Sequence, residues 1–142
     1  MNLTPPQHFE DGRSPNHVQY SAIGNVYFYD AVVITEFNEG VNVSYVTGIQ
    51  LLMECMKHIG TKPFTVISNR VNSYSVQPTD YKYLERVPNL KGIAIVTKDA
   101  VSAANAMLES KFYSKAFAVF DSVKTACEWG QRILDGDLTD LK

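Results

Sequence analysis

Residues 93–120 read IAIVTKDAVSAANAMLESKFYSKAFAVF, and the architecture follows from them. Residues 93–97 form a short, β-branched apolar run of the length and composition of a buried strand. Asp99 is placed to cap a helix whose Val101, Ala104, Met107 and Leu108 predict the face laid on the sheet. Residues 117–120 are a second aromatic and β-branched strand. Strand, helix and strand in succession require a crossover, and crossovers within one sheet are right-handed and leave the two strands parallel.

The same alternation extends in both directions. Downstream, Ser122 caps a helix with Val123, Ala126, Cys127, Gly130, Ile133 and Leu134 on one side, and Trp129 stands off the centre of that stripe. Upstream, a short helix over Tyr81, Tyr83, Leu84 and Val87 starts near Thr79 and stops at Pro88, and residues 64–68 read as a strand opened by Pro63. Before it, Ser44 caps a helix with Val46, Ile49, Leu52, Met53, Met56 and Ile59 at helical spacing, ending at Gly60. Residues 26–29 and 32–37 are aromatic and β-branched and flank Asp30-Ala31, the pattern of a β-hairpin. The order β-β-α-β-α-β-α-β-α predicts an α/β domain with a mostly parallel five-stranded sheet, one antiparallel edge strand and about four helices.

Length and composition fit that reading. The chain has 142 residues, 45% apolar and 20% charged, enough for one domain with its own core. The expected organisation is an extended arm over residues 1–17, one α/β domain over residues 18–134 and an acidic tail over residues 135–142. Thirteen Lys and Arg against fifteen Asp and Glu give a net charge of -2, which removes the basic excess that drives binding to a phosphate backbone. Nucleic acid is therefore not an expected partner. No apolar run reaches the roughly 20 residues of a membrane span, and no leader is evident, so the expected location is the cytoplasm. Cys55 and Cys127 are too few for a disulfide framework and read as reduced core residues. His8, His17 and His58 have no metal spacing and read as solvated or capping side chains. The glycine-rich phosphate cradles are missing, so no metal or cofactor is expected.

Lys115-Ala116-Phe117-Ala118-Val119-Phe120, followed by residues 122–129 with Ala126 and Trp129 three apart, resembles the last strand and helix of SpoIIAA-like (STAS-like) proteins, where a "pF-x-vF … A-x-x-W" pattern recurs. The resemblance covers residues 26–134, about three quarters of the chain. It implies a SpoIIAA-like β/α superhelix, the fold of anti-sigma-factor antagonists, of transporter-attached STAS domains and, more loosely, of lipid-binding SEC14 domains, none of them primarily an enzyme. In the antagonists a phosphorylatable Ser stands in an Asp-Ser-Ser-Gly or similar motif where a helix follows the third strand. The matching stretch here is residues 68–75. It lacks the usual phosphoacceptor motif, since no Asp precedes the serines, no Gly follows them, and Pro78 delays the helix.

That polar connection is nevertheless the expected binding site, because ligands of open α/β sheets gather at the carboxyl ends of strands. Asn69, Arg70, Asn72, Ser73 and Ser75 are the candidates: Arg70 as a fork for a carboxylate or phosphate, the others as neutral hydrogen-bonding groups. Ser73 and Ser75 are also the candidate phosphoacceptors, where a phosphate would add about two negative charges. The alternative is structural: Asn72, Ser73 and Ser75 satisfying the loop's main chain, and Arg70 pairing with Glu36 or Asp99. Tyr27, Tyr29, Tyr74, Tyr81, Tyr83, Phe112 and Tyr113 are divided between local packing and an interface. The leading functional expectation is a noncatalytic regulatory or protein-interaction module whose partner is another protein or a second copy of the chain. The alternative is a SEC14-like binder of a small apolar or amphipathic molecule, with a cavity lined by Met53, Met56 and Met107. An enzyme would require Arg70, Glu36 and Asp99 to converge in one cleft.

Overall fold

The computed structural model describes residues 7–136. The first six residues of the arm and most of the acidic tail, Asp137 and Asp140 included, lie outside the described residues. After a stretch over residues 7–16, the elements run in chain order as β1 (His17–Tyr20), β2 (Gly24–Tyr29), β3 (Val32–Phe37), β4 (Asn42–Val43), α1 (Tyr45–Ile59), β5 (Phe64–Asn69) and β6 (Ser75–Val76). A short 3-10 turn, Pro78–Asp80, leads into α2 (Tyr81–Glu85), followed by β7 (Leu90–Val96), α3 (Ala100–Glu109), β8 (Ala116–Phe120) and α4 (Val123–Leu134).

The main sheet has the order β1-β2-β3-β5-β7-β8. Its β3, β5, β7 and β8 are parallel, and the β1-β2-β3 meander is antiparallel. This is the α/β architecture expected from the sequence, with six strands in place of five. The added strand is β1, at the edge beside β2. The hairpin turns at Asp30, whose φ of 55° places it in the left-handed region that Asp tolerates better than most residues.

With the parallel strands added in one direction, right-handed crossovers put α1, α2 and α3 on one face, and α4 returns across the other. Side-chain alternation along the strands separates two cores. Phe28, Val33, Phe64, Leu90, Ile93 and Ile95 face α1, α2 and α3; Tyr27, Tyr29, Ile34, Ile67, Ala94 and Val96 face α4 and Phe9.

The two faces are packed differently. On the α4 side the sheet presents Gly92, Ala94, Ala116 and Ala118, and the helix settles onto them: a Cβ on Gly130 would lie 2.6 Å from Thr65 Oγ1, and one on Gly92 3.1 Å from the Trp129 ring. Trp129 is thus buried over Gly92 and not at the boundary its helical phase predicts. On the other side α1 is centred on buried Leu51 and Cys55, while Val46 and Met53 of the predicted stripe face solvent. The phase of α3 departs furthest from expectation. Val101, Ala104, Met107 and Leu108 point outward, and Ala106 and Glu109 are the residues turned in.

Candidate functional site

Adjacent strand residues face opposite sides, so Asn69 and Arg70 are parted although they are neighbours in sequence. Asn69, the last residue of β5, donates through Nδ2 to Glu36 at 2.7 Å. The same carboxylate oxygen lies 2.9 Å from His8 Nε2, and His8 Nδ1 lies 2.6 Å from the Tyr29 hydroxyl. His8 is therefore a buried, bonded side chain and not a solvated one. Burial pushes the Tyr29 hydroxyl up to about 12, with the Cys127 thiol nearby adding to the effect. Residues 8–11, Arg13, Asn69, Val71, Lys98 and the first turns of α4 border an open crevice of about 830 Å³ at the carboxyl rim of the sheet. The loop tips of the parallel strands gather there, as the alternating order requires.

Arg70 turns to the opposite face. Its two terminal nitrogens donate to the two carboxylate oxygens of Glu109 at 2.7 Å each, and Tyr81 donates its hydroxyl to the same carboxylate at 2.6 Å. Both charged side chains are nearly buried. Burial works against the charged guanidinium, but the Glu109 carboxylate outweighs it and holds Arg70 protonated well above its ordinary value. Burial and the same carboxylate push Tyr81 up. The arginine's acid is thus Glu109 and neither Glu36 nor Asp99. Glu36 is taken by His8 and Asn69, and Asp99 caps α3 by accepting from the Val101 and Ser102 amides.

The rest of the loop is stapled to the connection between β3 and α1. Asn72 donates to the Phe37 carbonyl at 3.0 Å, the Ser73 amide donates to Glu39 at 3.0 Å, and Ser75 donates its hydroxyl to Asn42 at 3.0 Å. Parallel pairing of β4 with β6 completes the staple. The five candidates therefore divide among three places: Asn69 beside the crevice, Arg70 inside the core facing α3, and Asn72, Ser73 and Ser75 on the exposed staple. A phosphate on Ser73 would stand against the Glu39 carboxylate, a like-charge contact.

Beneath that staple lies an apolar cavity. It measures about 200 Å³ and sits between the sheet, α1 and α2. Val26, Val33, Val66, Ile93 and Ile95 form its floor, and Ile49, Leu51, Leu52, Cys55 and Ile59 of α1 form its roof. Val43 and Val76 of the small sheet border it at the rim, and Tyr45 and Tyr83, with ring centres 4.2 Å apart, close the gap between α1 and α2. Asp80 helps set that spacing, because its carboxylate accepts from the Tyr45 amide at 2.8 Å and ties α2 to the start of α1. The expected methionine lining does not occur: Met53 and Met107 are exposed, and Met56 packs elsewhere on the core. Cys55 faces the cavity, and burial pushes its thiol up to about 12, which leaves it un-ionised and apolar at neutral pH.

Sequence reasoning missed Glu109 and the α1 roof. A signal for the first was present, since Glu109 is the lone charge in α3. No side-chain pattern reports a gap beneath a helix.

An uncharacterized protein of the DUF3478 family from Shewanella loihica PV-4, described as having a SpoIIAA-like fold, is similar to this chain in structure. The TM-score is 0.50 and the identity 12%, over 80% of this chain and 90% of that one. At that identity the likeness is one of fold. No protein-family model matches the sequence, and no curated protein does. Among the described residues, no helix is long and apolar enough to cross a membrane.

Proposed function

We propose that this SpoIIAA-like domain is a noncatalytic module that holds a small apolar molecule between α1, α2 and the sheet. The observation that carries the reading is the apolar cavity of about 200 Å³. An apolar cavity of ~150 Å³ takes up benzene or xenon, and this one, apolar but open at its mouth, suits a compact hydrocarbon of similar or slightly larger size. The ionisable residues support the noncatalytic part. Glu109 is consumed by Arg70 and Tyr81, Glu36 by His8 and Asn69, and Asp99 by the start of α3, three separate places with structural partners in each.

Toluene or cyclohexane, added to the pure protein, is the test. At about tenfold excess over its dissociation constant, a ligand of the folded state alone raises the unfolding midpoint by about 4 °C. Gly48→Leu, which points a side chain from α1 into the cavity, is expected to abolish that rise while leaving the protein folded. A wild type that does not respond to any probe of this size contradicts the reading.

A second reading rests on the staple loop, where Val71, Asn72, Ser73 and Ser75 are all exposed. Exposed groups on a braced loop suit contact with a regulatory protein partner. Capture of the same proteins by the wild type and by a Val71→Glu, Ser73→Ala variant would remove it.

A further inference from the structure

We propose that β8 pairs antiparallel with β8 of a second copy of this chain, joining the two sheets into one across a two-fold axis through Ala118. Two observations on the same side of the molecule lead there. The first is the strand itself. Among the described residues no strand lies beyond β8, whose five residues, Ala-Phe-Ala-Val-Phe, are uncharged and all half-buried. The Phe120 carbonyl accepts from the Thr97 amide, so by the alternation of strand groups the N–H and C=O of Phe117 and Val119 face away from β7. Among the described residues no other group bonds them. Natural edge strands are usually blunted by charge, proline or a bulge, and β8 has none of these.

The second observation is the outward face of α3, the crossover that leads into β8 and packs on it. Val101 is 70% exposed, Met107 and Leu108 are 56%, and Phe112, in the 3-10 turn that follows the helix, is 46%. The helix's one charge, Glu109, is turned inward to Arg70. A contiguous exposed apolar surface of this kind marks an association site.

A second copy is the occupant that fits both features. Centring the pair on Ala118 sets Phe117 against Val119 of the partner subunit, and Ala116 against Phe120 of the partner subunit, small against large. Lys115, whose ammonium donates to the Val87 and Leu90 carbonyls of its own chain, then stands opposite Asp121 of the partner subunit, so that opposite charges share a register position at each end of the seam. Because the axis is perpendicular to the sheet, the two α3 helices fall on the same side of the seam, which brings their exposed apolar residues near it. The contact is self-complementary and closes on itself, as two-fold interfaces do.

Sedimentation of the wild type across a dilution series tests this directly. The expected mass approaches twice the 15.9 kDa monomer at high concentration and falls on dilution. Leu108→Lys and Asp121→Lys alter exposed side chains only; each is expected to raise the dissociation constant more than about tenfold, with circular dichroism unchanged. Ala118→Cys is expected to cross-link to itself on oxidation, since Cα atoms in such a non-hydrogen-bonded pair lie ~4.5 Å apart. Should that variant not fold, hydrogen exchange on the wild type decides the register: the Phe117 and Val119 amides are protected in concentrated solution and exchange freely in dilute. A wild type monomeric throughout, a dimer that survives both lysine variants, or a dimer with neither the cross-link nor the exchange protection overturns the proposal.

Discussion

Glu109 is the residue on which the α3 side of the core turns. Its carboxylate receives two hydrogen bonds from Arg70 and one from Tyr81. Glu109→Ala would leave the guanidinium buried without its counter-charge, and the expected loss is ~3–5 kcal/mol in a urea unfolding experiment. A loss below about 1 kcal/mol would mean that water reaches Arg70 and that the pair is a surface contact. The two cysteines give a complementary expectation. Burial pushes both Cys55 and Cys127 up to about 12, so a disulfide reagent at pH 8 should react with them only as fast as the protein opens. Immediate labelling of either thiol would place it in contact with solvent. The arginine was readable in the sequence as an ion-pairing residue, but its partner was not. Glu109 lies 39 residues away, and the apolar stripe on the other side of α3 pointed to the opposite helix phase.

At the scale of elements, one substitution made in two helices separates the loosely and tightly seated faces of the sheet. In α1, a Cβ on Gly48 would meet only Val43, at 3.9 Å. Gly48→Ala is therefore expected to stabilise by ~0.5–1 kcal/mol through helix propensity. In α4, the Cβ of Gly130→Ala would fall 2.6 Å from Thr65 Oγ1, and overpacking is expected to cost ~1–3 kcal/mol. Chemical denaturation of both variants checks the pair, and a shift of the same sign in each would mean that the two helices sit alike. The helices were legible because their caps are local: Ser44, Asp99 and Ser122 each accept from an amide in the first turn. The hairpin was legible for the same reason. Strand β1 was not, since it pairs on one side only and carries His17 and Gln19 among its four residues. The β4 and β6 strands, two residues each, exist only because Asn42 and Ser75 are brought together by the larger sheet. The divergence of Asn69 and Arg70 follows from strand alternation, but it shows only once residue 69 is known to be in the strand.

For the whole molecule, the buried phenols and thiols set the response to pH. Tyr27, Tyr29, Tyr74, Tyr81 and Tyr113 are all raised by burial, as are both cysteines. The unfolded chain releases these protons at their ordinary values of 9.0 for the thiols and 10.0 for the phenols, while the native state keeps them. The unfolded state thus binds fewer protons above pH 9, and stability falls as pH rises. The urea midpoint is expected to be lower at pH 10 than at pH 7.5; an unchanged midpoint would mean that these hydroxyls and thiols titrate as though exposed. The architecture as a whole is a sheet closely packed against α4 at Gly92 and Gly130 and left hollow beneath α1, and the proposed binding rests on that hollow. Crystals equilibrated under xenon pressure probe it most directly. The expected result is a xenon peak between α1 and the sheet, in contact with Leu51, Cys55 and Ile95, and none between α4 and the sheet. A difference map with no xenon beneath α1, or with the gas held only on the α4 side, would contradict it.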